Sequence, residues 1–164
     1  MVRLKNRWLL FELIFEDSLQ QQTITSPYSS QTVSEGISSK DIYNVVKESI
    51  QNNFGDYGTG CVSVSISVKY FSSHTNIGVL RISRDHYHMV WCALTFITQV
   101  KSKNCLLRIL HIGGTIKQCQ LSAIEYDKDQ ILKLKRQAEL RGEVSYNVEE
   151  ILEESRIQIM SMDI

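Results

Sequence analysis

Seven of the nine residues from Arg7 to Phe15 are large and apolar, and Glu12 is the one polar side chain inside the run. If this segment is a strand, Leu9, Phe11, Leu13 and Phe15 share one face, while Trp8, Leu10, Glu12 and Ile14 share the other. A strand apolar on both sides cannot lie on a half-solvated sheet. Both of its faces must be at least partly buried, which commits the chain to a layered architecture.

The elements that follow supply those layers. Residues 17–38 are rich in Ser, Gln and Thr, contain the single proline and hold no sustained period, so they read as a loop insertion. Ser38 or Ser39 can cap a helix that runs to about Asn53, with Ile42, Val45, Val46, Ile50 and Phe54 on one stripe and Gly55 as its stop. A glycine-rich turn, Gly55–Gly60, then leads into a strand in which Val62, Val64, Ile66, Val68 and Tyr70 alternate with Ser63, Ser65, Ser67 and Lys69. That pattern predicts one core face and one small, polar face open to solvent or a partner. Ile77–Ser83 reads as a further strand. His86 to about Val100 reads as an apolar helix with Val90, Trp91, Leu94 and Ile97 inward, widened by Met89, Ala93 and Phe96. Leu106–Ile112 is the last strand, after a loop at Lys101–Asn104.

Gly113-Gly114-Thr115 opens a third helical region, with Thr115 and Gln118 as a capping box and Asp127 and Gln130 as a second. The region is one long helix or two that meet near Tyr126. Asn147 with Glu150 caps a final acidic amphipathic segment. The order β-α-β-β-α-β followed by helices is the split βαβ, ferredoxin-like α/β plan, an antiparallel sheet with two helices across one face. We divide the chain into a domain over 1–142 and an acidic tail over 143–164.

Charge sharpens that division. The formal net charge is zero, yet residues 143–164 hold six acids and one base, a balance of −5. Residues 1–142 hold 17 bases and 12 acids, a balance of +5, so the average hides a basic body with an acidic tail. No apolar run reaches the ~18 residues of a membrane helix. The basic Arg3, Lys5 and Arg7 before an apolar stretch resemble a signal peptide, but Glu12, Glu16 and Asp17 and the lack of a small-residue cleavage site exclude one. Cys61, Cys92, Cys105 and Cys119 are too widely spaced for a C-x-x-C site and are expected to be reduced core residues.

A catalytic constellation does not assemble from these residues. His88 and Cys92 lie four apart and share a helix face, but no third metal ligand is recognisable beyond His111 on another element. There is no Walker lysine motif and no G-x-S-x-G elbow. An RNP1-type strand needs alternating aromatics, whereas Ile77–Ser83 offers aliphatics, Gly78 and Arg81, so base stacking on the sheet is not expected. What remains is phosphate contact. Arg3, Lys5 and Arg7 alternate and so project together; Arg81, Arg84 and Lys117 add charge; and Gly113, Gly114 and Thr115 stand between a strand and a helix N-terminus, where backbone N–H groups favour an anion.

Three blocks carry a resemblance. Met1-Val2-Arg3-Leu4-Lys5-Asn6-Arg7-Trp8-Leu9-Leu10-Phe11-Glu12 is similar to the M-V-R-[FL]-K-x-R-Y-L-L-x-E opening of the Pop-five family, a protein subunit shared by ribonuclease P and ribonuclease MRP. Tyr87–Ile97 and Leu110–Gln120 match in the same order, so the resemblance covers residues 1–126 outside the 17–38 loop. Trp8 replaces the usual tyrosine and keeps a ring.

The resemblance implies an RRM-like fold and a non-catalytic subunit in nuclear and nucleolar particles. There the catalytic RNA and its Mg²⁺ remove 5′ leaders from precursor tRNA or cleave precursor rRNA. It also implies a TIM-barrel-like protein subunit as partner, no cofactor on the chain itself, and RNA contact through the matching Arg3, Lys5, Arg7, Arg81 and Lys117. No role carries over to the apolar Ile157–Ile164 end. The competing expectation is a ferredoxin-like dimerisation or ligand-binding module without RNA, whose Ser-rich strand face meets another protein.

Overall fold

The computed structural model describes residues 5–16, 36–73, 75–140 and 148–162. Strand β1 (Asn6–Phe15) is the centre of a five-stranded antiparallel sheet. Its neighbours are β3 (Ile77–Ser83) on one side and β5 (Lys103–Gly113) on the other, with β2 (Ser67–Phe71) beyond β3 and the short β4 (Gln99–Val100) beyond β5. With β5 as the fourth strand of the plan, this is the strand order that β-α-β-β-α-β connectivity produces.

The two apolar faces of β1 explain the layers. Leu9, Phe11, Leu13 and Phe15, with Leu80, Ile82 and Leu107 from the flanking strands, pack against helix α1 (Ser39–Val62) and helix α2 (Tyr87–Thr95). Trp8 and Leu10, with Ile77 and Val79, pack instead against Cys119 and Ala123 of helix α3 (Ile116–Leu140) and Ile159 of helix α4 (Val148–Met160). Helices therefore cover the sheet on both sides. The face that an RNA-recognition motif would offer to bases is occupied by α3 and α4, which is the physical reason base stacking there is closed off. Gly78 lies beneath the Phe11 ring, so closely that a methyl group there would overlap it.

The structure corrects several sequence readings. Ser38 caps α1 in a full capping box with Asp41, but the helix does not end at Gly55. Gly55 turns the chain with φ +62 and ψ −158, and helix then resumes to Val62. The strand read from Val62 begins only at Ser67. Val62 and Ile66 are buried because they are four apart on a helical turn, closed by Ile66 N–H donating to Val62 O at 2.9 Å, while Val64 between them is 97% exposed. The Ser-rich face at 63 and 65 therefore belongs to a turn.

Helix α2 is also shorter than its apolar pattern. It stops at Thr95 because Gln99–Val100 turns back through Lys101 and Ser102, both at positive φ, to pair with Lys103 and Asn104. Trp91 (40% exposed) and Phe96 (57%) consequently face outward, while Val90, Ala93, Leu94 and Ile97 fill the core. β5 is longer than Leu106–Ile112, and α3 is one continuous helix across Tyr126. Most of the 17–38 loop, and the boundary between 142 and 143, lie outside the described residues. Among those that are described, Ile37 is buried in the core.

Candidate nucleic-acid interface

The sheet register brings the basic residues together. β1 runs antiparallel to both neighbours, so its first residues adjoin the last residues of β3 and β5. Asn6 pairs with Ser83, Arg7 with Ile82, and Trp8 with Arg81 on one side and Gly113 on the other. Arg84 N–H donates to Lys5 O at 2.8 Å and extends the β1–β3 ladder by one step. Residues far apart in sequence thus meet at one end of the sheet: Lys5, Arg7, Arg81, Arg84, and the Gly113-Gly114-Thr115 turn with Lys117 in the first turn of α3. Arg3 lies outside the described residues.

Arg7 sits at the middle of this end. Its guanidinium lies over the Tyr87 ring, 5.9 Å from the centroid, a cation–π contact that holds it against the start of α2. Its Nη1 donates to Asn6 O at 3.3 Å, and a methyl on Gly114 would stand 3.6 Å from the same nitrogen. Gly113 is buried as the last residue of β5, whereas Gly114 and Thr115 are exposed. Thr115 Oγ1 accepts from Gln118 N–H at 3.4 Å, the cap expected from sequence. Lys5, Arg84 and Lys117 are exposed; Arg7 and Arg81 are half-buried. The ion pairs among the described residues join Lys101 to Asp41, Arg108 to Glu12 and Arg156 to Glu153. None of them neutralises this end.

Two groups at this end were not read from the sequence as anion contacts: Ser83 carried no role, and His111 was weighed only as a third metal ligand. Ser83 shares the Arg81 face of β3, two residues on, and His111 lies on β5 with its Nε2 close to Gly113. The period of two along each strand is the signal that could have found them.

The other chemistry does not assemble. His88 and Cys92 are exposed on α2, so Cys92 is not the core residue expected of it. All four cysteines are free; burial pushes the Cys105 thiol up to about 11 and the Cys119 thiol up to about 12, away from nucleophilic thiolates. Among the described residues, no three His, Cys, Asp or Glu side chains converge as metal ligands would. Nor is any described helix long and apolar enough to cross a membrane.

A five-stranded antiparallel sheet covered by helices on both faces, with basic residues gathered at one end, defines an α/β domain. The comparisons with known proteins narrow this class. A family model described as the Rpp14/Pop5 family matches residues 7–124. The chain is 37% identical over 134 residues to the ribonuclease P/MRP protein subunit POP5 of Schizosaccharomyces pombe, covering 80% of this chain and 91% of that protein. It is 33% identical over 152 residues to the Homo sapiens protein of the same name, with 87% and 82% covered. A chain in a cryo-EM structure of yeast ribonuclease MRP shares the fold, at TM-score 0.51 and 9% identity, over 81% of this chain and 98% of that one. The chain belongs to the Rpp14/Pop5 family.

Proposed function

We propose that this chain is a non-catalytic protein subunit of ribonuclease P and ribonuclease MRP that braces the catalytic RNA during 5′-leader removal from precursor tRNA and cleavage of precursor rRNA. Family membership supports the particle, and one structural observation carries the mode of contact. The register of β1 with β3 and β5 gathers Lys5, Arg7, Arg81, Arg84, Gly113, Gly114, Thr115 and Lys117 at one sheet end. Arg3 precedes them in the sequence with the same alternation. Such a cluster holds phosphates in position without reading bases. Mg²⁺ then belongs to the RNA, and the particle works in the nucleus and nucleolus. The exposed Trp91 on α2 and Phe96 just after its end suit the TIM-barrel-like protein partner, since aromatic anchors dominate such contacts.

Capture of the full chain from cells followed by sequencing of the associated RNA tests the reading. Recovery of a structured RNA with several basic proteins is expected; recovery of one protein and no RNA overturns it in favour of a protein-binding module. On the isolated RNA, Lys5→Glu with Arg7→Glu should weaken association and flatten the salt dependence by roughly 0.9 in log–log slope per lost phosphate contact. An unchanged slope and affinity would remove these residues from the interface.

A further inference from the structure

The turn after β3 carries ring side chains straight to the basic end. Arg84 N–H is bound to Lys5 O, and His86 N–H donates to Ser83 O at 3.3 Å, so α2 starts beside the exposed Lys5 and Arg84. On its first turn the Tyr87 and His88 rings lie with centroids 3.9 Å apart and planes tilted by 34°. The Arg7 guanidinium meets the same Tyr87 ring at 5.9 Å. Tyr87 is therefore the shared member of three flat groups: a guanidinium, a phenol and an imidazole.

The members of this row differ in what surrounds them. Arg7 is half-buried beside the Gly113-Gly114 turn, and Tyr87 is half-buried with its ring packed against the core. His88 is exposed. Burial accounts for the stacking of Phe11 on Phe71 at 6.4 Å, since Phe11 is wholly enclosed. It does not account for an imidazole stacked on the outside of the fold. A flat exposed ring, backed by a ring anchored in the core and flanked by cations, is how proteins hold single-stranded nucleic acid: a base lies on the ring and phosphates lie on the cations. Asp85 is the one acid between Arg81 and Trp91, and Lys5, Arg7 and Arg84 outnumber it at this end.

We propose that His88, backed by Tyr87 and Arg7, is a ledge on which one unpaired base of the bound RNA stacks while Lys5 and Arg84 hold the adjoining phosphates. This rests on the RNA-bracing reading above and adds to it a base contact made off the sheet. Every base has a flat face to offer, so the ledge grips an unpaired nucleotide without selecting its identity.

The test uses the full chain labelled with ¹³C and two probes of equal charge, decaadenylate and a decamer of abasic ribose phosphates. The His88 Hε1 signal, assigned by its absence from His88→Ala, should move upfield with decaadenylate and stay in place with the abasic decamer. His88→Ala should cost roughly tenfold in affinity for decaadenylate. His88→Phe, which keeps a flat ring, should bind within about twofold of the native chain. His88 is exposed, so neither substitution threatens the fold. An unmoved signal, with His88→Ala binding as the native chain does, overturns the ledge; the RNA reading survives if Lys5→Glu still weakens binding and falls if that reversal is also silent. Equal movement with both decamers overturns stacking in favour of a phosphate on the imidazole, and a phenylalanine variant as weak as the alanine one overturns it too. If His88→Ala binds RNA fully but loses a protein from the particle captured with the chain, the ring contacts protein and the ledge is overturned.

Discussion

Gly78 and Phe11 meet as a register pair between β3 and β1, with the phenyl ring laid over the glycine. No side chain fits beneath that ring, so Gly78→Ala should force the ring or the strand aside. We expect a loss of about 1–3 kcal/mol, read as a lower urea midpoint at unchanged slope. On the opposite face, Glu12 accepts from Arg108 and, at 2.6 Å through Oε1, from the Tyr126 hydroxyl. Burial first, and then the Glu12 hydrogen bond and charge, raise the Tyr126 phenol above its ordinary value, with Arg108 pulling the other way. Glu12→Gln removes the charge, so Tyr126 should ionise at lower pH in a tyrosinate absorbance titration. A titration unchanged by the substitution would mean that Glu12 does not hold the phenol. In the sequence, Glu12 reads only as the polar break in an apolar strand. Its partners lie 96 and 114 residues away, at a separation no local pattern can bridge.

Elements were legible in proportion to how local their causes are. The Ser38 cap of α1 and the two faces of β1 depend on neighbours in the chain, and both were readable. The second segment of α1 was not, because Gly55, Gly58 and Gly60 read as a turn, and from Val62 a valine–serine alternation satisfies a period of two while Val62 and Ile66 also satisfy a helical turn. The β4 hairpin escaped notice because its turn uses Lys101 and Ser102 at positive φ, where asparagine and glycine are the usual signals. That hairpin has a consequence for α1. Lys101 Nζ lies 2.8 Å from Asp41 Oδ2, and together with the Ser38 hydroxyl and backbone N–H it holds the Asp41 carboxyl well below the usual carboxylate range. A carboxyl depressed in the folded state contributes stability that is present above its unfolded value near 3.8 and lost as pH falls through the folded one. Thermal stability should therefore decline below about pH 4, and Lys101→Met should make that acid decline shallower. An identical acid profile in the variant would show that the hairpin does not stabilise the cap.

At the scale of the whole molecule, the candidate site was legible as a set of basic residues but not as a place. Lys5, Arg7, Arg81, Arg84 and Lys117 could be named from charge and resemblance, yet their convergence needed the antiparallel register that sets the start of β1 beside the ends of β3 and β5. The acidic tail, by contrast, was visible in composition and silent about position. In the structure α4 closes the second face: Ile159 is fully buried beside Trp8 and Cys119, Gln120 Nε2 donates to Ile159 O at 3.1 Å, and the Ser155 hydroxyl donates to the buried Asp127 carboxylate. Tail and body thus carry opposite charge while sharing one core. A chain ending at Gly142 should lose roughly 1.5–3 kcal/mol for Ile159 alone, with a further loss as Asp127 gives up its hydroxyl partner. Its net charge should rise from zero to +5, so it should bind RNA more tightly in low salt. That gain should shrink as added salt shortens the screening length from about 10 Å at 0.1 M to about 3 Å at 1 M. Denaturation and salt-dependent binding measured on the same truncated chain separate the two roles. If stability falls while low-salt affinity stays at its full-length value, α4 is a packing element whose charge never reaches the basic end. If both change in the stated directions, the tail holds the fold together and also restrains an otherwise cationic body from binding RNA without discrimination.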